Sequence, residues 1–180
     1  MAYGIVLVID EPAAQDLVAE AQRIISGRPA VMVVGPAAPP HVTLLHARCD
    51  DLEAGSWWHG VRDHLGPMHV EPIGLMTAVL PPGDFYVPDG GTYFGLEVFR
   101  TQALADAHDA VLSGAAVLGL EAIGRVGEYF RPHVTLGVLE RSATDIPIVD
   151  VSRFTGRLSG SPVLGRLGPH GTFPHIVQRL

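Results

Sequence analysis

Hydrophobic positions in this chain come in short β-branched runs between turn residues, with three stretches where they recur at helical spacing. The run over 3–9 predicts a strand ending at Asp10. Asp10 is then placed to cap a helix that has Glu11 and Pro12 in its first turn. Leu17, Val18, Ala21, Ile24 and Ile25 share one face of that helix, and Gly27 stops it. A second apolar run covers 29–34, and the Gly- and Pro-rich segment 35–40 leads into a third at 41–46. Trp57, Val61 and Leu65 predict a short helix over 56–65. Strands are expected at 70–80 and 92–100, divided by Pro81-Pro82-Gly83 and Pro88-Asp89-Gly90-Gly91. Thr101 can cap a helix to Leu118 that carries Leu104, Val111, Leu112 and Ala115. The last strands are expected at 130–139, 163–167 and 172–177.

One pentapeptide occurs twice. Pro40-His41-Val42-Thr43-Leu44 recurs letter for letter as Pro132-His133-Val134-Thr135-Leu136, 92 residues later. The same offset lays 4–9 onto 96–101, 13–26 onto 105–118, and Gly27 onto Gly119. The pattern predicts one domain over 1–180 built from two duplicated strand–helix–strand units, about 3–47 and 92–139. Side chains alternate between faces along a strand, so His41 and Thr43 share one face and Val42 and Leu44 the other. The same holds for His133 and Thr135 against Val134 and Leu136. Packed about a pseudo-twofold axis, the two polar faces meet in one cleft.

Composition narrows the setting. Of 180 residues, 47% are hydrophobic and 17% charged, enough apolar material for a packed core. No apolar run approaches the roughly 18–20 residues of a membrane span, and the N-terminus lacks a basic, cleavable leader. A monomeric cytoplasmic protein with no membrane partner is expected. Net charge is −7 and all 12 basic residues are arginine. That is a poor footprint for long nucleic acid, whose binding rests on many phosphate contacts. The lone Cys49 leaves no pair for an intramolecular disulfide or a cysteine zinc site.

Two imidazoles and two hydroxyls suit metal-free phosphodiester chemistry. One neutral histidine can activate water while a protonated one donates to a leaving oxygen. The threonine hydroxyls can hold the non-bridging oxygens of a phosphate. Two histidines without carboxylates at ligand spacing make a poor metal site, so no metal and no cofactor are expected. A non-catalytic nucleotide-binding module and a metal-dependent histidine-rich protein are the competing readings. Arg131 and Tyr129 share the strand parity of His133, so Arg131 can meet a phosphate and Tyr129 can stack a base. Tyr93 and Phe94 are placed to flank a nucleobase. His46 has the opposite parity from His41 and reads as structural, and the other histidines read as solvated or core.

At these residues the sequence resembles the 2H phosphoesterase superfamily, which includes 2′-5′ RNA ligase-like proteins and 2′,3′-cyclic nucleotide phosphodiesterases. The twin His-hydrophobic-Thr-hydrophobic motifs carry the resemblance. The opening strand and helix, Phe130-Arg131-Pro132 and Gly168-Pro169-His170-Gly171-Thr172-Phe173 extend it. It implies an α+β, bilobal fold: two pseudo-symmetric lobes with antiparallel-rich sheets around a central cleft, helices outside. It implies catalysis by His41, Thr43, His133 and Thr135, with His133 as base toward water and His41 as acid, and a cleft bordered by His170. The implied substrate is a small nucleotide or short oligonucleotide. Nucleoside 2′,3′-cyclic phosphates, 2′-5′ phosphodiesters, ADP-ribose cyclic phosphate and cyclic oligonucleotide signals all fit. The acidic balance and absence of lysine depart from members that handle tRNA and count against long RNA.

Overall fold

The computed structural model describes residues 1–141, 151–154 and 158–180, which form ten strands and three α-helices. β1 (Ala2–Ile9), α1 (Ala13–Ile25), β2 (Ala30–Val33) and β3 (His41–Arg48) make the first unit. α2 (Asp51–Val61), β4 (Met68–Val70) and β5 (Pro72–Leu80) follow. β6 (Gly91–Val98), α3 (Gln102–Val117), β7 (Glu121–Ile123) and β8 (His133–Glu140) repeat the first unit, and β9 (Leu158–Arg166) and β10 (His175–Arg179) close the chain. All pairings are antiparallel, in the order β10-β9-β1-β3-β8-β6-β5, with β2 on β8, β4 on β9 and β7 on β3. The expected α+β class with antiparallel pairing is the one observed, but the sheets expected in two lobes join through β3 and β8 into one ten-stranded sheet.

The halves meet where Val42 of β3 pairs with Val134 of β8. They are also interlaced. β2 pairs with β8 and α1 packs against it, while β7 pairs with β3 and α3 packs against that strand. Each motif strand is therefore backed by a helix from the other unit. The helices cover one face of the sheet, where Val42, Leu44, Val134 and Leu136 join Leu17, Ile24, Leu104 and Val111 in the main core. His41, Thr43, His133 and Thr135 alternate with these buried positions and face the other way.

Local chemistry explains the helices, with two departures from the sequence reading. α2 begins at Asp51 rather than near 56, because Asp50 and Glu53 form a reciprocal capping box with the first turn. Asp10 does not cap α1: Pro12 stands at the N-cap, and the Asp10 carboxylate accepts from the Ser161 hydroxyl at 2.9 Å. Thr101 caps α3 as expected, accepting from the Leu104 amide at 3.2 Å. On α1 the buried Glu20 takes Arg23 at 2.6 Å and Arg153 at 2.8 Å, which offsets the cost of removing its charge from water.

The repeat needs one correction. Val8 pairs with His41, and its counterpart opposite His133 is Glu97, not Arg100 as an unbroken 92-residue offset requires. Spacing between first strand and motif therefore differs by three residues between the two units. The short β7 was not anticipated. Among the described residues no helix is long and apolar enough to cross a membrane.

Candidate active site

Both motif strands carry a bulge just after the threonine. Thr43 pairs with Val6 and Leu45 with Ile5, so Leu44 is left without a partner. Thr135 pairs with Gly95 and Gly137 with Phe94, so Leu136 is skipped in the same way. A bulge adds a residue and reverses the alternation beyond it. Ahead of the bulge, His41 and Thr43 face the cleft; beyond it His46 returns to the same face. The cleft holds about 400 Å³ and is lined by all four motif residues together with His46, Tyr86, Tyr93, Arg125, Arg131 and His170.

The two motif imidazoles are anchored alike. His41 Nδ1 lies 2.8 Å from the Pro39 carbonyl oxygen, and His133 Nδ1 lies 2.9 Å from that of Arg131. A carbonyl only accepts, so each neutral ring carries its proton on Nδ1; His41 differs in a further backbone hydrogen bond to Gly171 that favours its protonated form. Burial pushes His41 down to about 4, helped by the nearby His133. Burial also lowers His133, with the Arg131 charge adding to the effect and Glu97 opposing it. His41 is therefore neutral at pH 7, and His133 is shifted toward its neutral form. The edge of one ring in the His41–Phe173 pair meets the face of the other at 4.9 Å between centroids, fixing the His41 plane.

His108 holds this arrangement from behind. It is fully buried, donates from Nδ1 to the Leu44 carbonyl at the bulge (2.7 Å), and accepts the Gly127 amide at Nε2 (2.8 Å). Its ring stacks on Phe130 at 4.1 Å. One side chain of α3 thus ties the β3 bulge to the segment that leads into His133.

The remaining sequence-derived positions divide. Arg131 reaches the cleft, but its Nε donates to Glu97 at 2.8 Å. Tyr93 lines the cleft and donates its hydroxyl to the His170 carbonyl at 3.1 Å. His170 lines it too, in a left-handed conformation (φ 58°), and its Nδ1 donates to the Tyr86 carbonyl at 3.1 Å. Phe94 is corrected: it is fully buried in the core, because adjacent strand residues point to opposite faces and Tyr93 takes the cleft side. Tyr129 is corrected as well. It sits on a short 3₁₀ turn (Gly127–Tyr129), 68% exposed and outside the cleft lining, because β8 begins only at His133 and no strand parity extends back to it.

The sequence reading does not place His46, Tyr86 or Arg125 in the cleft they line. His46 returns through the bulge. Tyr86 lies between β5 and β6, in a loop pinned by the Asp84 carboxylate, which accepts the Tyr86 and Val87 amides at 2.8 and 3.0 Å. An Asp two residues ahead is a recognisable turn signal, though it does not say which cavity the turn borders. Arg125 follows β7, is exposed, and forms no ion pair with the described residues. Among the described residues no group of three His, Cys, Asp or Glu side chains is placed to hold a metal ion.

No protein-family profile and no curated protein sequence matches the chain. Solved structures do. TT0787 of Thermus thermophilus aligns over 100% of this chain and 97% of its own, at 17% identity and a TM-score of 0.67. Apo LigT of E. coli aligns over 99% and 95%, at 14% identity and a TM-score of 0.57. LigT complexed with 3′-AMP aligns over 100% and 98%, at 15% identity and 0.51. A structure described as a phosphoesterase aligns over 100% and 98%, at 16% identity and 0.53. Along its whole length, the chain has the fold of LigT and of that phosphoesterase.

Proposed function

We propose that the protein is a metal-independent phosphodiesterase of the 2H type that hydrolyses a small nucleotide, a 2′,3′-cyclic phosphate or a 2′-5′ phosphodiester. The observation that carries the reading is the matched pair of anchored imidazoles, each with a threonine hydroxyl two residues on, along one cleft. Water attacks phosphorus while His133 Nε2 removes its proton, and the bond from phosphorus to one ribose oxygen breaks. His41, protonated at Nε2 once the phosphate anion is bound, gives that oxygen its proton. Thr43 and Thr135 donate to the non-bridging oxygens, whose charge grows in the transition state. The cavity suits a mononucleotide or a short oligonucleotide rather than a duplex, and the bound 3′-AMP of LigT is a nucleotide of this size.

The test is a substrate panel of 2′,3′-cyclic nucleotides, 2′-5′ and 3′-5′ dinucleotides, ADP-ribose cyclic phosphate and cyclic dinucleotides, run in EDTA with products resolved by phosphate position. Turnover of a 2′,3′-cyclic or 2′-5′ substrate to a single monoester isomer is expected. Nucleotide binding without turnover would favour a binding module, and activity restored only by a divalent ion would overturn the metal-free chemistry.

A further inference from the structure

The cleft contains a third imidazole that the paired-histidine reaction does not use. His46 is buried, with Nδ1 2.6 Å from the Tyr86 hydroxyl and Nε2 3.4 Å from Thr43 Oγ1. The fold makes room for it. Gly4 stands opposite His46 on β1, and a Cβ there would come within 2.6 Å of the His46 ring and 2.5 Å of Phe173. The second unit is built differently. Tyr93 stands where Gly4 does, and its partner Val138 stands where His46 does, so Thr135 has no imidazole behind it.

We propose that His46 is a positioning residue for Thr43: Tyr86 donates its hydroxyl proton to His46 Nδ1, and His46 Nε2–H donates to Thr43 Oγ1. The Thr43 proton is then turned toward the phosphoryl oxygen. This inference rests on the phosphodiesterase reading of the cleft. The direction of the chain follows from donor counting. Among the described residues the Tyr86 hydroxyl has one hydrogen-bond partner, His46. Burial raises the Tyr86 hydroxyl, which keeps its proton, and His46 Nδ1 is the protein acceptor within reach. A neutral imidazole has one donor and one acceptor, so acceptance at Nδ1 makes Nε2 the donor. Burial and the neighbouring imidazoles of His41 and His133 hold His46 neutral, down to about 3. Its tautomer is thus the reverse of the one that His41 and His133 adopt. A hydroxyl that accepts from an N–H is itself a stronger donor. Thr43 therefore grips a phosphoryl oxygen more firmly than Thr135 does, and the nearly symmetric cleft acquires a direction.

Two measurements on the full chain test this. Long-range ¹H–¹⁵N correlation of the imidazoles should show His46 as neutral Nε2–H between pH 5 and 8 and the two motif histidines as Nδ1–H at pH 8. A His46 that is Nδ1–H, or cationic, overturns the proposal whether or not the protein turns over any phosphodiester. The Tyr86→Phe variant keeps the ring and removes the oxygen. On a 2′,3′-cyclic nucleotide it should lower kcat about 10-fold, as loss of one oriented hydrogen bond does, with KM little changed. The loss should vanish in a Thr43→Ala background and persist in a Thr135→Ala background. Equal losses in both backgrounds would show that Tyr86 and His46 act by packing alone.

Discussion

Glu97 holds Arg131 at 2.8 Å, so the arginine nearest His133 enters the cleft already paired. Val8 occupies the equivalent place in the first unit, so this carboxylate belongs to the second unit alone. It lies beside the proposed site for an anionic substrate, and it tempers the arginine. Replacing Glu97 by Gln should free the guanidinium for phosphate. A partly exposed ion pair is worth at most about 1 kcal/mol, so KM for a nucleotide should fall about two- to fivefold with little change in melting temperature. A higher KM would show that the carboxylate contacts the substrate itself.

The two motif histidines should fail in different ways. His41→Ala and His133→Ala should each lower the rate roughly 10²–10⁴-fold, the span of a positioned acid or base. A substrate with an activated leaving group needs no proton to depart, so it should rescue His41→Ala and leave His133→Ala slow. Rescue of His133→Ala alone would exchange the two roles.

The pH profile should lie acid of an ordinary histidine pair. Burial lowers both imidazoles, His41 to about 4, so the bell in kcat/KM should peak below 6.5, while bound phosphate draws the bell in kcat toward neutrality. Stability follows the same groups. The unfolded chain binds a proton on His41 near pH 6.5 and the folded chain only near 4. Folding stability is therefore complete above 6.5 and declines as pH falls through that window, with His46 extending the decline to about 3. Urea titrations at pH 7 and pH 5 should show the lower midpoint at pH 5. A kcat/KM optimum at pH 7.5 or above would contradict the site electrostatics.

Gly95 should tolerate no side chain. A Cβ there would lie 2.2 Å from the Val134 carbonyl oxygen, in the backbone beside Thr135 where β6 crosses the bulge. The clash is with main chain and cannot be relieved by a rotamer change, so Gly95→Ala should cost at least about 1–3 kcal/mol and reduce turnover through Thr135. Gly55, with open space at its Cβ position, is the control: Gly55→Ala should melt at or above the wild-type temperature. Equal melting of Gly95→Ala and wild type in thermal circular dichroism would refute this account of the bulge.

What could be read from the sequence was periodic or repeated. Alternation along two copies of one pentapeptide put His41, Thr43, His133 and Thr135 on one face, and the structure lines one cleft with all four. Parity misled wherever the strand was not regular. Alternation carried through the bulge, which only strand pairing reveals, puts His46 on the wrong face. Tyr129 has strand parity with His133 only if the strand extends back into what is a turn. Tyr86 sits in a loop with no period, and its place depends on the fold of the turn at His170. The crosswise pairing of β2 and β7 left no mark, since three- and four-residue strands carry too few positions for a pattern.

That crosswise pairing bears on how the cleft came to be uneven. Each unit supplies a strand and a helix that complete the other, so neither would bury its motif strand by itself. A chain of one unit would have to associate with its own copy, and every side chain of such a dimer would appear twice around the cleft. Joining the units in one polypeptide removes that constraint. Only then can Glu97 stand on one side without a twin at Val8, and His46 without a twin at Val138. Covalent linkage is thus what permits the two sides of a nearly twofold cleft to carry different side chains.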